Sequence, residues 1–169
     1  MQLRQASFNG NRPPCFLNPK HTVHRHGSYD RFADCDGSLI LTILRFLCTI
    51  CFHTISVLPD DVLPYRPISV TKLEKDFQAR VNGTPPPAAT IKEKGCLKRA
   101  WRRFTQRTAA LAVLLGQMVY VVNPTPKHIW SQLRRWGNLP VILLRLARLF
   151  NTSLLLDYLC LLPWSAESP

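Results

Sequence analysis

Residues 38–58 read SLILTILRFLCTICFHTISVL. The fold of the chain depends on whether this stretch forms a membrane-spanning helix or a buried strand. Its 21 residues include only one arginine, Arg45, and one histidine. As a helix that rises about 1.5 Å per residue it reaches roughly 30 Å, the thickness of a hydrocarbon core. Burying Arg45 costs about 2.5–3.5 kcal/mol on insertion scales, which nearly offsets the gain from the apolar residues. A spanning helix is therefore allowed but not forced, and the many Ile and Thr residues leave a buried strand as the alternative.

Two further apolar runs lie at 108–122 and 140–163. The first of them has 15 residues and directly follows a block at 92–107 that carries seven basic residues and one acidic residue. A basic block followed by an apolar run is the positive-inside arrangement of membrane proteins. The four tryptophans lie at the rims of the apolar segments, which is typical of a membrane interface.

The run at 140–163 has the pattern of an amphipathic helix. Arg145, Arg148 and Thr152 are separated by three and four residues, which places them on one side of the helix. The rest of the surface is apolar and consists mainly of Leu143, Leu144, Leu146 and Phe150. Such a helix fits a membrane interface or a hydrophobic groove, so the two arginines are predicted to contact anionic headgroups.

The charge of the chain is strongly positive and unevenly distributed. The formal net charge is +12, yet 46% of the residues are apolar, and the two kinds of residue occur in separate blocks. Positive blocks beside apolar blocks are typical of proteins that contact anionic lipids or a phosphate backbone. The predicted contact residues in the block at 92–107 are Lys98, Arg99, Trp101, Arg102, Arg103 and Arg107.

The six cysteines are irregularly spaced. Because the first residues lack the apolar core of a secretory signal, we expect reduced thiols rather than a disulfide framework. The polar segment before residue 37 contains ligand types that zinc accepts, but no Cys-x-x-Cys pair. These residues are Cys15, His21, His24, His26 and Cys35.

Cys48 and Cys51 do form a Cys-x-x-Cys pair, and His53 follows it. Apolar surroundings raise the pKa of a thiol and make it inert, so we expect these cysteines to be buried and structural. We therefore predict no metal site and no cofactor. Because the sequence also lacks Gly-rich phosphate loops and the HExxH and GxSxG motifs, we expect a protein that binds partners rather than an enzyme.

Residues 129–138, IWSQLRRWGN, resemble the helix by which pro-death ligands such as Noxa dock into the grooves of Bcl-family proteins. The family pattern places apolar anchors on one helix face, followed by a small residue and an Asp, as helix-in-groove binding requires. The corresponding residues are Ile129, Leu133, Trp136, Gly137 and Asn138, the last of which stands in place of the Asp. The resemblance implies a Bcl-family partner.

These patterns divide the chain into four parts. They are a flexible polar tail at 1–36, an apolar helix with a short surface helix at 37–81, a Pro-rich linker at 82–91, and a basic block with two apolar or amphipathic helices at 92–169. Ser69 or Thr71 is predicted to cap the surface helix. The predicted fold class is mainly α, with short membrane-associated or amphipathic helices.

The functional expectation is a small membrane-associated accessory protein of viral type. It would act on host proteins from an intracellular membrane, either the endoplasmic reticulum or the mitochondrion. The first alternative is a cytosolic RNA-binding accessory protein, similar to a silencing suppressor, with residues 98–107 as a weak and unspecific contact and the apolar runs as core. The second alternative is an apoptosis regulator that acts through residues 129–138.

Overall fold

The chain forms a β-sheet followed by helices. The structure is a computed structural model. It describes residues 2–4, 12–15, 17–59, 61–63, 66–116, 124–150 and 152–155. Within these residues the sheet has four strands in the order β1-β4-β3-β2, and five helices follow it.

The strands are β1 (Gln2–Arg4), β2 (Val23–Phe32), β3 (Ile40–Cys48) and β4 (Thr54–Leu58). Strand β3 pairs antiparallel with both β2 and β4, and β1 pairs parallel with β4 at the opposite edge from β2. The helices are α1 (Val70–Asn82), α2 (Ile91–Gln106), α3 (Thr108–Gly116), α4 (Pro126–Arg134) and α5 (Leu139–Phe150).

The apolar stretch at 38–58 is a β-hairpin, so the prediction of a helix there was wrong. It contains β3, a tight turn and β4, and the register places Leu44 opposite Val57 and Phe46 opposite Ile55. Phe52, just after the turn, has a φ of 55°, a left-handed conformation that interrupts any continuous helix. The β-branched residues that left a strand open as the alternative belong to this pairing.

The predicted fold class, mainly α with membrane-associated helices, is also wrong. The structure is mixed α/β, because sheet and helices occur together. Among the residues that the structure describes, no helix has the length and apolarity needed to cross a membrane. Of the second apolar run, residues 108–116 form α3, and the remainder lies outside the described residues. The third run contains α5, and residues 156–163 likewise lie outside them.

The structure places the predicted segment boundaries as follows. The polar segment at 1–36, expected to be a flexible tail, contains the ten-residue strand β2. Helix α1 begins after Ser69, whose side chain accepts a hydrogen bond from the backbone N–H of Lys72, so the predicted cap is present. Gly83 ends α1 with a φ of 69°, and the residues from there to Thr90 connect α1 to α2.

The core of the helical part is aromatic. The ring of Phe77 lies 5.0 Å from that of Trp101 and 5.2 Å from those of Phe104 and Trp130, measured between centroids. Trp130 is fully buried and donates a hydrogen bond from its indole nitrogen to Gln78 at 3.1 Å. Trp101 and Trp130 therefore pack against this chain's own helices, and the predicted interfacial belt does not describe them.

The N-terminus of α2 is fixed by Glu93. Its carboxylate accepts a hydrogen bond from the backbone N–H of Thr90 at 2.9 Å, and the Thr90 hydroxyl accepts one from the Glu93 N–H at 3.3 Å. This capping box stabilises the first turn of the helix. Lys72 of α1 forms an ion pair with the same carboxylate, which ties α1 to α2.

We expect Glu93→Gln to lower the free energy of unfolding by about 1–2 kcal/mol at neutral pH, because a nearly buried charge-assisted hydrogen bond is lost. The hydrogen bond with Lys72, followed by that with Thr90, lowers the pKa of Glu93 in the folded state. A lowered pKa means that the stabilisation is complete above the pKa of the unfolded chain. It then disappears as the pH falls through the folded value.

Urea denaturation of the two proteins at a series of pH values measures this contribution. The difference in unfolding free energy should shrink in the acidic range and vanish once Glu93 is protonated. Lys94→Gln serves as a control, because it removes an exposed charge next to Glu93, leaves the cap in place and adds no group that titrates in the acidic range. A difference that stays constant down to the lowest pH would show that the charge of Glu93 contributes nothing.

Candidate metal centre

Four side chains with metal-ligating atoms converge at one end of the sheet. They belong to Cys15, His21, Cys48 and Cys51, and their ligand atoms all lie within 4.8 Å of one another. Cys15 and Cys48 are fully buried, whereas His21 and Cys51 are partly exposed. Three thiols and one imidazole in such proximity form the Cys3His donor set of structural zinc sites.

Three of the six separations between these atoms are close to those of tetrahedral coordination. The Sγ atom of Cys15 lies 3.4 Å from that of Cys51, and the Nδ1 atom of His21 lies 3.7 Å from the sulfurs of Cys15 and Cys48. Zinc bonds of about 2.3 Å to sulfur and 2.0–2.1 Å to nitrogen predict edges of about 3.5–3.8 Å for a tetrahedron. A zinc ion therefore fits between the four atoms with only small side-chain adjustments.

The first two ligands lie in a turn before β2. Pro13 and Pro14 precede Cys15, and Asn18 organises the residues that follow. The backbone carbonyl of Asn18 accepts a hydrogen bond from the His21 N–H at 2.9 Å, and its side chain accepts one from the Lys20 N–H at 2.9 Å. This local folding is the kind that Asn side chains stabilise in turns, and it directs His21 towards Cys15.

The other two ligands flank the turn between β3 and β4. The Phe52 N–H donates to the carbonyl of Cys48 at 2.9 Å, and the Cys48 N–H donates to the carbonyl of His53 at 3.0 Å. The turn thus folds Cys51 back beside Cys48. A Cys-x-x-Cys pair in a tight turn of this kind is the common half-site of structural zinc centres.

Strand pairing brings the two half-sites together. Val23, two residues after His21, pairs with Cys48 in the antiparallel register of β2 and β3. The Thr49 N–H donates to the carbonyl of Thr22 at 3.2 Å, which joins one ligand turn directly to the other. The four ligands are therefore positioned by backbone contacts as well as by their own side chains.

The electrostatics of the centre favour a thiolate at Cys48. Burial by itself would raise the pKa of this thiol, but hydrogen bonds from the Cys51 N–H, the Cys51 thiol and the Ile50 N–H lower it to about 6. Burial and the hydrogen bond to Cys48 raise the pKa of Cys51 to about 11. Without a metal, the thiols donate hydrogen bonds to one another. A metal cation that replaces their protons can bind all three sulfurs at once.

The four donor atoms favour zinc, and they favour a structural role for it. Thiolate and imidazole ligands in tetrahedral geometry favour zinc over the hard cations magnesium and calcium. Four protein ligands leave no open coordination position for water or a substrate, which is the arrangement of structural rather than catalytic zinc. The expectation of a chain without a metal site is therefore replaced by a candidate zinc centre.

The other predicted ligand types lie elsewhere. His24 and His26 are exposed on β2, and Cys35 contacts Cys96 at 3.0 Å between sulfurs. The Nδ1 atom of His53 lies 2.7 Å from the carbonyl oxygen of Cys51, so its ring contacts the backbone of the centre. The sequence offered one usable signal, a Cys-x-x-Cys pair together with a distant Cys and His. The sequence does not join the two halves, because the first lies in a polar segment and the second in an apolar run.

The predicted phosphate or headgroup contacts divide into two groups. Lys98, Arg99, Arg102 and Arg103 are exposed on α2, as a contact surface requires. Arg107 is instead buried and donates from Nη2 to the Thr152 hydroxyl at 2.9 Å. Burial lowers the pKa of its guanidinium. Trp101 is half-buried in the aromatic core, so neither residue belongs to an exposed contact surface.

Helix α5 directs its apolar face into the protein. Leu139, Ile142, Leu143 and Leu146 are buried in the helical core, whereas Arg145 is exposed. The side chain of Arg148 lies outside the described residues. The apolar side of α5 therefore contacts this chain and not a membrane or a foreign groove. Thr152, which was predicted on the polar side of the helix, lies beyond the end of α5 and is buried.

The residues that resemble a Bcl-family ligand are placed in a similar way. Ile129 and Leu133 are fully buried, and Trp136 packs against the core beside Phe150, with ring centroids 6.3 Å apart. Helix α4 ends at Arg134, so Gly137 and Asn138 follow it in a turn. Binding to a groove would require Ile129 and Leu133 to leave the core of this protein, because neither side chain lies on an exposed helix face.

Comparisons of the chain with protein-family models, with curated proteins and with solved structures gave no match. The geometry and charge of the chain itself are the basis for assigning a function.

Proposed function

We propose that this protein binds duplex DNA through helix α2 and that a structural zinc ion stabilises the sheet, whose β2–β3 loop contacts the N-terminus of α2. The observation that carries the proposal is the one-sided surface of α2. Its exposed basic residues are Lys92, Lys94, Lys98, Arg99, Arg102 and Arg103. In the part of the chain that the structure describes, none of the six forms an ion pair with a carboxylate.

The opposite face of α2 is anchored in the core. Leu97, Ala100 and Phe104 are buried at intervals of three and four residues, so the helix cannot rotate about its axis. The basic side chains therefore all project from the protein on the other side. A cluster of unpaired cations on one rigid helix is the electrostatic footprint of a nucleic-acid contact.

The lack of exposed aromatic rings among the cations of α2 favours a duplex over a single strand. Single strands are bound by exposed aromatic side chains on which the bases stack. Phe104 is fully buried, and Trp101 uses its ring to contact Phe77 and the Arg80 guanidinium, the latter at 5.7 Å from the ring centroid. No stacking platform thus lies among the cations of α2, which supports contact with phosphates and groove edges instead.

The shape of the helix favours DNA over RNA. Its 16 residues give a length of about 24 Å. The major groove of B-DNA is about 12 Å wide and admits an α-helix. The major groove of A-form RNA is deep and narrow and does not. The RNA-binding alternative from the sequence involves the same basic block, and this proposal differs from it in the nucleic acid that is bound.

The sheet supports this surface through the loop between β2 and β3. The Thr90 hydroxyl that caps α2 lies 3.4 Å from both carboxylate oxygens of Asp36. Arg31, at the end of β2, donates to the carbonyls of Leu63 and Arg66 at 3.1 and 3.2 Å, just before α1. Fixing the sheet with zinc thus fixes the entry to both α1 and α2.

Fluorescence anisotropy with the zinc-loaded full chain tests the proposal. The probes are a DNA duplex of about 20 base pairs, roughly two helical turns, its single strand and an RNA duplex of the same sequence. We expect micromolar binding of the DNA duplex, with the logarithm of the association constant falling with that of the salt concentration at a slope of about −4 to −5. Binding to the RNA duplex should be weaker by roughly tenfold or more.

Equal affinity for all three probes would contradict the assignment to the major groove. If none of the probes binds but vesicles that contain phosphatidylserine do, the basic surface of α2 contacts anionic lipid headgroups, as expected from the sequence, and the DNA proposal is wrong. Vesicle binding is measured by sedimentation of the same zinc-loaded protein.

A further inference from the structure

A second pair of thiols lies outside the candidate metal centre. Cys35 belongs to the loop between β2 and β3, and Cys96 lies in α2, 61 positions later in the chain. Their sulfur atoms are 3.0 Å apart, and both side chains are partly exposed. A disulfide has a bond length of about 2.05 Å, so closing the pair requires a movement of only about 1 Å.

The two sulfurs have different surroundings. The Cys35 thiol lies 2.9 Å from the carbonyl oxygen of Pro67 and donates towards Cys96. Burial, followed by this contact with Cys96, raises the pKa of Cys35 to about 12, so it keeps its proton. The guanidinium of Arg99 lies 3.2 Å from the sulfur of Cys96. Because Cys35 holds its proton towards Cys96, we assign the Cys96 sulfur, which lies beside Arg99, as the attacking nucleophile.

We propose that Cys35 and Cys96 are a redox-modification site, at which a hydroperoxide joins them in a reversible disulfide between the sheet and helix α2. The inference concerns thiols outside the metal centre and does not depend on DNA binding.

The chemistry takes two balanced steps. With hydrogen peroxide, the Cys96 sulfur attacks one peroxide oxygen, so an S–O bond forms and the O–O bond breaks. The proton of the Cys96 thiol goes to the departing hydroxide, which leaves a sulfenic acid and water. The Cys35 sulfur then displaces the hydroxyl from Cys96, and the Cys35 proton leaves with it as a second water. Two thiols are oxidised, and one hydroperoxide is reduced.

The disulfide would link two parts of the chain that are otherwise joined by polar contacts. The loop that holds Cys35 also carries Asp36, which lies beside the cap of α2. Because the bond closes a long loop, it restricts the unfolded chain strongly. We therefore expect the oxidised protein to melt at a temperature higher by roughly 5 °C or more.

The test uses the zinc-loaded full chain with Cys160→Ser, which leaves Cys35 and Cys96 as the thiols outside the centre. After treatment with hydrogen peroxide, trypsin should release residues 32–45 joined to residues 95–98, and dithiothreitol should separate them. Zinc content, measured with a chromophoric chelator after the protein is denatured, should be unchanged when the cross-link is complete.

Two single variants in the same background separate the roles of the sulfurs. With Cys35→Ser, Cys96 should accumulate as a sulfenic acid that dimedone traps. With Cys96→Ser, Cys35 should remain a thiol under the same conditions. The proposal is overturned if the cross-linked peptide fails to appear, if it appears only after zinc is lost, or if both single variants react with peroxide equally fast.

Discussion

Removal of zinc is expected to unfold the sheet and to leave much of the helical part folded. Among the residues that the structure describes, the buried cluster of the sheet contains six, Cys15, Val23, Phe46, Cys48, Ile55 and Val57, and two of these are candidate metal ligands. A cluster of this size does not offset the conformational entropy of the strands by itself. Structural zinc contributes an apparent free energy of about 10–16 kcal/mol in small zinc domains at neutral pH, and here this energy would hold the sheet together.

Serine or alanine at a ligand position should have the same effect as a chelator. We expect the natural chain to bind one equivalent of zinc, and we expect Cys48→Ser and His21→Ala to lose both that zinc and the strand signal in circular dichroism. The helical signal should persist to a large extent, because the helical core contains far more buried residues, with Phe77, Phe104 and Trp130 at its centre. Zinc should also be released on acidification, because protons compete for the thiolates.

Each ligand variant has a matched control in the same part of the chain. His24→Ala removes an exposed imidazole three residues from His21, and Cys35→Ser removes a thiol that lies outside the cluster. Both should retain one equivalent of zinc and a melting temperature close to that of the natural chain. Full zinc content in Cys48→Ser, measured by atomic absorption, would refute the metal centre.

The second large effect is expected on the surface of α2. Lys98→Glu combined with Arg102→Glu places two negative charges one helical turn apart at the middle of the basic surface. Each reversal removes a charge-assisted contact with a phosphate and adds repulsion. The two together should weaken binding of duplex DNA by about 100-fold to 1,000-fold, since each 1.4 kcal/mol corresponds to a factor of ten.

A second double variant serves as a control that distinguishes a local contact of α2 with DNA from the general attraction between a basic protein and DNA. Lys127→Glu combined with Arg145→Glu changes the net charge by the same amount at exposed positions on α4 and α5. Because charges more than a Debye length of about 8–10 Å away are screened at moderate salt, we expect this pair to weaken binding by less than about tenfold. Equal losses for the two pairs, with unchanged melting temperatures, would mean that α2 is not the contact.

The helical part of the chain follows from local patterns. Ser69 ahead of an apolar-periodic segment predicts the start of α1, and the structure has its cap at that residue. Lys98, Arg99, Arg102 and Arg103 share one side of α2 because of their spacing, once the basic block forms a helix. Such features depend on residues a few positions apart, and for that reason they can be read from the sequence.

The centre of the sheet depends on contacts that no local pattern contains. The stretch at 38–58 is apolar enough for a helix, and pairing of β3 with β2 and β4 decides against it. Arg107 and Trp101 lie in the same basic block as the exposed cations, yet one is buried against Thr152 and the other against Phe77. Exposure along a basic block is therefore set by which helix packs on which, and the charge pattern alone does not contain that information.

The sequence by itself determined the ligand types, the cap of α1 and the excess of positive charge in the block that forms α2. Only the tertiary structure brought Cys15 and His21 to Cys48 and Cys51. The physical reason is the range of the interactions involved. A cap or a helix face is formed between neighbours in the chain, whereas the register of β2 on β3 joins residues 25 positions apart, from Val23 to Cys48. A metal centre built on that register exists only once the strands have paired.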